Sequence, residues 1–143
     1  MAIEVRELTY VNTSVIVASI YPSDPNHGYA VRFLEEVCLS RKLCRASNLL
    51  LEEVRSTPSE GMALDALKRF GIPVIEVDVE EYLRRARRVV ESLGLSYSRL
   101  IDVAHVLIAR DARCSIVASF DRKMLRFARR IGLKAYNPRY GWV

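Results

Sequence analysis

The sequence predicts an α/β fold, a three-layer α/β/α sandwich around a central parallel sheet of about five strands. Apolar strand-like runs alternate with segments of helical periodicity along the chain, which is typical of a parallel sheet covered on both faces. The run CSIVAS is almost continuously apolar, as strands inside such a sheet are. The 143 residues fit a single domain over positions 1–143, and half of them are hydrophobic, which suffices for a full core.

The first half of the chain predicts two strands and four helices. LTYVN is rich in strand-forming residues, and the Thr-Ser pair after it offers a hydroxyl cap for a helix over VIVASI. The loop YPSDPNHG, with two prolines and a glycine, precedes a helix from Tyr29 to Ser40, where apolar residues recur at helical spacing. A short strand at Leu43–Ala46 leads to a helix capped by Ser47 or Asn48, and a further helix begins near Pro58.

The second half continues the alternation. IPVIEV predicts a strand, and Asp78 caps a helix that runs to Leu93 before a glycine stops it. SYSRLIDVAHVLIARDA predicts the next helix, with Ser96 or Ser98 near its cap. CSIVAS is a strand, Asp121 starts the helix DRKMLRFARRIG, and LKAYN is the last strand.

Net charge is +5 and the isoelectric point is about 9.3, and Arg makes up 18 of the 22 basic residues. Guanidinium groups bind phosphates in bidentate fashion, so a basic, Arg-rich surface suits a nucleic-acid partner. The alternative is a thermophile surface of ion pairs, which the absence of Gln and the scarcity of Asn favour. The sequence leaves both interpretations open.

The chain has no apolar run near the roughly 18 residues that span a bilayer. Its first residues, MAIEVREL, lack the apolar region of a signal peptide, so we expect a cytoplasmic protein without a membrane partner. The three cysteines, Cys38, Cys44 and Cys114, are odd in number and lack CxxC spacing. This pattern argues against a disulfide framework and against zinc, and predicts buried thiols.

Four polar residues each follow an apolar run: Asn12, Glu53, Asp102 and Asp121. Carboxylates that are distant in sequence can converge and hold a hard cation. Asn12 and Asp121 lie where two strands end, which is the edge at which parallel sheets bind ligands. Taken singly, each residue is also a helix cap or first-turn residue. Their order along the chain favours a metal-dependent hydrolytic site.

The segments VNTSVIVAS, SNLLLEEV, SRLIDVAHVLIA and IVASFDRKM resemble the motifs of the PIN-domain nucleases, and most closely the VapC-like toxins of prokaryotic toxin–antitoxin pairs. Glu53, Asp102 and Asp121 match the second, third and fourth acidic positions of that family. Asn12 stands where the family has its first Asp. The resemblance spans roughly residues 8–138, and it also implies a Rossmann-like three-layer fold.

The resemblance implies Mg²⁺- or Mn²⁺-dependent hydrolysis of RNA. Asp102 and Asp121 would ligate the metal, and Glu53 would orient a water molecule or act as general base. Ser14 and Ser119 would anchor water molecules or a phosphate around the site. A bound cation supplies an activated nucleophile and stabilises developing charge. The resemblance also implies an antitoxin partner and a homodimer.

Asn12 decides how well such a site works, because an amide oxygen can ligate Mg²⁺ but carries no charge. The pocket charge falls from about −4 to about −3, and ligand charge controls affinity for hard cations. We expect a rate lower by roughly 10²- to 10³-fold. The chain is then either an impaired nuclease or a non-catalytic RNA-binding module. A flavodoxin-like or receiver-type small-molecule domain is the third interpretation, although no nucleotide-binding glycine loop is present.

Other residues carry weaker signals. Lys123 and Arg126 share a helix face and could flank the scissile phosphate. The run Arg84–Arg88 is either a solvated helix face or a phosphate contact. His105 fits a buried, hydrogen-bonded histidine better than a catalytic base. Trp142 and the tyrosines are not interleaved with the arginine run, so the sequence does not indicate a stacking platform for bases.

Overall fold

The predicted α/β sandwich is confirmed, with one strand more than expected. The computed structural model describes residues 2–143, and among them no helix combines the length and the apolar character that crossing a membrane requires. The six strands are β1 (Thr9–Val11), β2 (Cys44–Ser47), β3 (Val74–Ile75), β4 (Ile116–Ala118), β5 (Lys134–Asn137) and β6 (Gly141–Trp142).

Seven α-helices connect and cover these strands. A π-helical segment, residues 34–40, extends the second of them, and a single 3₁₀ turn, residues 97–99, precedes the sixth. The helices are α1 (Thr13–Ile20), α2 (His27–Phe33), α3 (Asn48–Val54), α4 (Glu60–Arg69), α5 (Val79–Leu93), α6 (Leu100–Asp111) and α7 (Arg122–Arg130).

The strand order is β3-β2-β1-β4-β5-β6. β1 lies inside the sheet and pairs in parallel with β2 and β4, where Val11 is opposite Ala118. β5 pairs in parallel with β4, and only β6 is antiparallel to its neighbour. The chain leaves β1 toward β2 on one side and later returns to β4 on the other, so the connections change direction between β1 and β4.

Two apolar cores fill the space between the sheet and its helices. Successive strand side chains point to opposite faces: Val11 packs in one core and Tyr10 in the other, and Ala118 and Val117 are divided in the same way. The first core includes residues of α1 to α4, and the second includes residues of α5 to α7. Each face of the sheet is therefore covered, which accounts for the continuous apolar character of CSIVAS.

Several element boundaries differ from the sequence prediction. Asn12, rather than Thr13 or Ser14, caps α1, because its side-chain oxygen accepts from the Ser14 amide. The helix predicted from Tyr29 begins earlier, at His27, and its second half is π-helical. The strand predicted over IPVIEV contracts to two residues. β6 was missed because two residues after a proline-containing turn carry no detectable periodicity.

The prediction of three free thiols is wrong for two of them. Cys38 and Cys44 form a disulfide, whereas Cys114 is a buried free thiol, as predicted. Cys38 lies in the π-helical segment and Cys44 begins β2, so the chain reverses tightly between them. Sequence spacing alone does not reveal such a reversal, and only the fold brings the two sulfur atoms together.

Titration with a thiol reagent tests this disulfide. The unfolded, unreduced chain should expose one thiol, from Cys114, and the reduced chain should expose three. Reduction should lower the free energy of unfolding by about 2 kcal/mol, because the bridge closes a short loop. A Cys38→Ser/Cys44→Ser variant should show one thiol under both conditions. Three thiols in the unreduced wild-type chain would contradict the bridge.

Candidate active site

The candidate site lies at the carboxyl edge of the sheet, between β1 and β4. Asn12 directly follows β1 and Ser119 directly follows β4, and these two strands are hydrogen-bonded neighbours. The backbone N–H of Asn12 extends the pairing of β1 with β4 by donating to the Ala118 carbonyl at 3.0 Å. Parallel α/β sheets bind ligands at the edge where their connections change direction, and this edge carries the polar residues singled out by the sequence.

A chain of hydrogen bonds joins the ends of the two strands. The buried Asn12 Oδ1 accepts from the Ser14 amide at 3.2 Å and from the Ser119 hydroxyl at 3.0 Å. Ser119 Oγ accepts in turn from the Asp121 amide at 2.9 Å, and Ser14 Oγ accepts from the Phe120 amide at 3.2 Å. The two serines therefore brace the turn that carries Asp121 against the start of α1.

Asp102 and Asp121 are in direct contact. Asp121 caps α7 by accepting from the Lys123 amide at 2.9 Å, and Asp102 lies in the first turn of α6. Burial, followed by the charge of Asp121 and a hydrogen bond to it, raises the pKa of Asp102 to about 7. Like charges this close favour a shared proton. When Asp102 is protonated it can donate to Asp121, and when it is ionised the two carboxylates repel each other.

Glu53 is held in the opposite electrostatic state. Its Oε1 accepts from the Thr13 hydroxyl at 2.6 Å and makes a very short contact with His105 Nε2. Burial tends to raise the pKa of Glu53, but the hydrogen bond and charge of His105, together with the Thr13 hydroxyl, outweigh it and lower the pKa. Glu53 is therefore an ionised acceptor at neutral pH, unlike Asp102.

A buried polar relay supports Glu53 from behind. His105 is fully buried, and its Nδ1 lies 2.6 Å from the Tyr10 hydroxyl, which lies 2.7 Å from Ser47 Oγ. An ionised carboxylate only accepts hydrogen bonds, so His105 Nε2 carries the proton that faces Glu53. Burial raises the pKa of Tyr10, so its hydroxyl stays neutral. The relay fixes the imidazole ring and, through it, the carboxylate.

Arg99 is a residue of the site that the sequence analysis missed. Its Nη2 donates to the Lys123 carbonyl at 2.8 Å, and its Nε lies 3.8 Å from Asp102 Oδ2. This Nε is buried and has no hydrogen-bond partner among the described residues. Lys123 and Arg126 line a surface pocket together with Arg99 and Arg130. A concentration of positive charge therefore adjoins the carboxylate pair.

Two arginines of α5, unlike the basic residues of this pocket, form close ion pairs with carboxylates. Arg84 pairs with Glu81 at 2.7 Å, and Arg85 pairs with Asp111 at the same distance. These two pairs agree with the interpretation of Arg84–Arg88 as a solvated helix face.

The predicted site residues share one edge without forming a closed ligand cage. Asp102 contacts Asp121, and Asn12 is linked to Asp121 through Ser119. Glu53 raises the pKa of Asp102 through its charge but is itself engaged by His105. Within residues 2–143, no group of three or more His, Cys, Asp or Glu side chains is arranged to hold a metal ion.

The α/β fold described above is similar to that of solved VapC and Fit proteins. No family model and no curated protein matches the chain at the sequence level.

Three solved structures share this fold. The Mycobacterium tuberculosis toxin VapC20 is 21% identical, with a TM-score of 0.60, over 81% of this chain and 92% of that one. FitAcB from Neisseria gonorrhoeae is 17% identical, with a TM-score of 0.59, over 92% of this chain and 99% of that one. VapBC2 from Rickettsia felis is 18% identical, with a TM-score of 0.53, over 94% of this chain and 98% of that one. At these identities the likeness shows the fold alone.

The aspartate pair predicts that replacing Asp102 stabilises the chain at high pH. The raised pKa of Asp102 means that the folded chain binds more protons than the unfolded chain between about pH 4 and pH 7. Stability from this group therefore falls as pH rises through that window. Asp102→Asn removes the repulsion, so without divalent cations it should raise Tm at pH 8 by about 2–4 °C per kcal/mol relieved.

The Tm gain of Asp102→Asn should shrink at pH 5, where the Asp102 carboxyl of the wild type is protonated. Asp111→Asn is the matched control. Burial tends to raise the pKa of Asp111, but hydrogen bonds from Arg85 and Tyr82 outweigh it and lower the pKa, so this change should lower Tm at pH 8. Thermal unfolding followed by circular dichroism measures both. An equal Tm gain at pH 5 and pH 8 would argue against the repulsion.

The buried relay predicts unequal effects for two tyrosine changes. Tyr10→Phe leaves His105 Nδ1 and Ser47 without their partner inside the core, so it should lower the free energy of unfolding by about 1–3 kcal/mol. Tyr82→Phe removes a hydroxyl that donates to the solvent-accessible Asp111, and should change stability by less than about 1 kcal/mol. Urea unfolding of both variants provides the comparison. Equal losses would mean that the relay adds no stability.

Proposed function

We propose that this chain is a divalent-metal-dependent endoribonuclease of the toxin type, weakened by the amide at position 12. The observation that carries the proposal is the contact between Asp102 and Asp121 at the carboxyl edge of the sheet, with Asn12 joined to the same hydrogen-bonded chain. VapC20, which has the same fold, is described as a sarcin–ricin loop cleaving toxin, which supports RNA as the substrate class.

The residues at this edge fit a hard divalent cation, Mg²⁺ or Mn²⁺. Burial and the neighbouring charge of Asp121 raise the pKa of Asp102 to about 7, and two such carboxylates would gain stability with a dication between them. Asp102 and Asp121 would hold the ion, with the oxygens of Asn12 and Glu53 as further ligands. When bound, the cation supplies Lewis-acid activation of a water molecule and of the phosphate.

The side chains around the aspartates have separate tasks in this proposal. Glu53 is ionised and fixed by His105 and Thr13, so it can accept the proton of an attacking water molecule. Ser14 and Ser119 hold the turn of Asp121 in place. Lys123 and Arg126, beside Arg99, offer donors to the charge that develops on the phosphate oxygens.

The hydrogen bonds of Asn12 indicate that its amide would weaken the reaction through charge and not through a change of fold. Its Oδ1 already accepts two hydrogen bonds, and a carboxylate oxygen could accept the same two with little change in shape. The amide therefore preserves the local structure while removing one negative charge from the cation site. We infer that metal affinity falls while the fold of the edge remains intact.

A second function, RNA binding without cleavage, is favoured by one observation. Within the described part of the chain, no three acidic or histidine side chains are arranged around a single cation position. Under this alternative the wild-type chain binds RNA at low salt but does not cleave it with Mg²⁺ or Mn²⁺. Binding would then depend on the basic groups near Lys123 and Arg126.

The neighbours also suggest the partners of this chain. VapBC2 was solved bound to a DNA fragment from its promoter, and we propose a VapB-like antitoxin that covers the same edge here. We further propose a homodimer and a cytoplasmic location.

Asn12→Asp tests the proposed function. Restoring the charge should raise Mn²⁺-dependent cleavage of single-stranded RNA by about 10²- to 10³-fold, and should increase the rise in Tm that Mn²⁺ produces. The measurement is a titration of cleavage against Mn²⁺ for the wild type and the variant. Asn12→Asp/Asp121→Asn, which keeps the total carboxylate count of the wild type, should lose most of the gain. No change in either cleavage or Mn²⁺ binding would remove residue 12 from the metal site.

A further inference from the structure

Alternating tyrosine and arginine side chains lie beside the candidate active site. Tyr140 lies in the turn between β5 and β6, beyond the carboxyl end of β5, and is 63% exposed. The guanidinium carbons of Arg139 and Arg122 lie 5.3 and 5.4 Å from the centre of its ring. Arg139 also lies 5.3 Å from the ring centre of the exposed Tyr29. These four residues, Tyr29, Arg139, Tyr140 and Arg122, are here called the ladder.

The ladder is preorganised by a buried asparagine. Asn137 ends β5 and is 3% exposed, and its Oδ1 accepts from the Arg139 amide at 2.9 Å and from the Tyr140 amide at 3.4 Å. Arg139 Nη1 also donates to Asn26 Oδ1 at 3.3 Å. The turn therefore fixes the backbone from which the exposed Tyr140 ring projects.

The ladder adjoins the aspartate pair through α7. Arg122 is the first residue of α7 and follows Asp121 directly. Four cations on α7 form no ion pair with a carboxylate among the residues that the structure describes: Arg122, Lys123, Arg126 and Arg130.

Arg126 connects two surface pockets. One is the basic pocket next to Arg99 and Lys123, and the other is lined by Arg122, Asn137 and Tyr140. A basic surface therefore continues from the side of the carboxylates to the exposed tyrosine ring.

We propose that the ladder is a stacking subsite for one unpaired nucleobase of the RNA substrate, and that the α7 cations hold the phosphates leading to it. The inference rests on the proposed function and extends it by naming where one unpaired base of the single-stranded RNA binds. Proteins that bind single strands combine a positive groove with aromatic rings on which bases stack. A base inside a duplex already stacks on its neighbours and cannot reach Tyr140.

The arginines of the ladder do not block this role. An exposed cation–π contact is weaker than the stacking of a base on an aromatic ring. A base can therefore replace one guanidinium over Tyr140, and the released guanidinium can turn to a flanking phosphate with bidentate geometry. This exchange keeps the charge of the ladder next to the RNA backbone.

Binding measured without divalent cations tests the subsite independently of cleavage. The probe is a short single-stranded oligoribonucleotide that carries one 2-aminopurine, mixed with the full wild-type chain in EDTA at low salt. Fluorescence anisotropy gives Kd, and quenching of 2-aminopurine reports stacking. Tyr140→Ala should raise Kd by about 5- to 100-fold and abolish the quenching, whereas Tyr140→Trp should retain both.

Two controls separate stacking from electrostatics. Tyr97→Ala removes another tyrosine, 60% exposed, that lies outside the ladder, and should leave Kd unchanged. Arg126→Ala should weaken single-stranded and duplex RNA alike and reduce the salt dependence of binding by about one unit of slope. Tyr140→Ala should not affect duplex binding.

Two results would overturn the proposal. The first is wild-type affinity and quenching in Tyr140→Ala, with Arg126→Ala still weakened, which would leave an electrostatic RNA surface without a base subsite. The second is the absence of any RNA binding by the wild-type chain. Failure of the nuclease proposal is a separate result, because it appears as no cleavage by Asn12→Asp while single-strand binding and quenching persist.

Discussion

The parallel pairing of β1 with β4 is the constraint on which the rest of this edge depends. Val11 lies opposite Ala118, and the pairing of the two strands ends with the backbone N–H of Asn12, which donates to the Ala118 carbonyl. That register places the side chain of Asn12 next to Ser119, and Ser119 positions Asp121. A slip of one residue would exchange the faces of Tyr10 and Val11 between the two cores and remove the hydroxyl that supports His105. The packing of both cores therefore determines the geometry of the site.

The same edge holds carboxylates in two different electrostatic states. Glu53 receives hydrogen bonds from a buried histidine and a threonine, which lower its pKa against the effect of burial. The pKa of Asp102 is raised to about 7 by burial and by the carboxylate that it faces. Environments that separate the pKa values of neighbouring acids are typical of functional sites. A surface that served stability alone would not bring Asp102 against Asp121, because the charge of Asp121 opposes the ionisation of Asp102. In our proposal a cation binds between these two carboxylates.

Sequence patterns predicted the fold and the identity of the edge residues, but not the contacts that hold them. The strand after Leu8 and the capping role of Asp121 follow from local periodicity and from residue type, which a single sequence contains. The bond between Tyr10 and His105 joins residues 95 positions apart, and the contact of Arg122 with Tyr140 likewise crosses from α7 to the last turn. Long-range contacts of this kind depend on strand order and register, so the relay, Arg99, the disulfide and the ladder became visible only in the folded chain.

The basic residues of α5 and α7 differ in whether they form ion pairs with carboxylates. On α5, Arg84 and Arg85 are paired with carboxylates, whereas the cations of α7 that adjoin Asp121 have no such partners among residues 2–143. In our proposal Asn12 has opposite effects on cation binding and on RNA binding. It weakens the attraction for a cation, and it also weakens the repulsion that the acidic edge exerts on RNA phosphates. A chain altered in this way would lose cleavage before it lost RNA binding, because the α7 cations and Tyr140 do not depend on the charge at position 12.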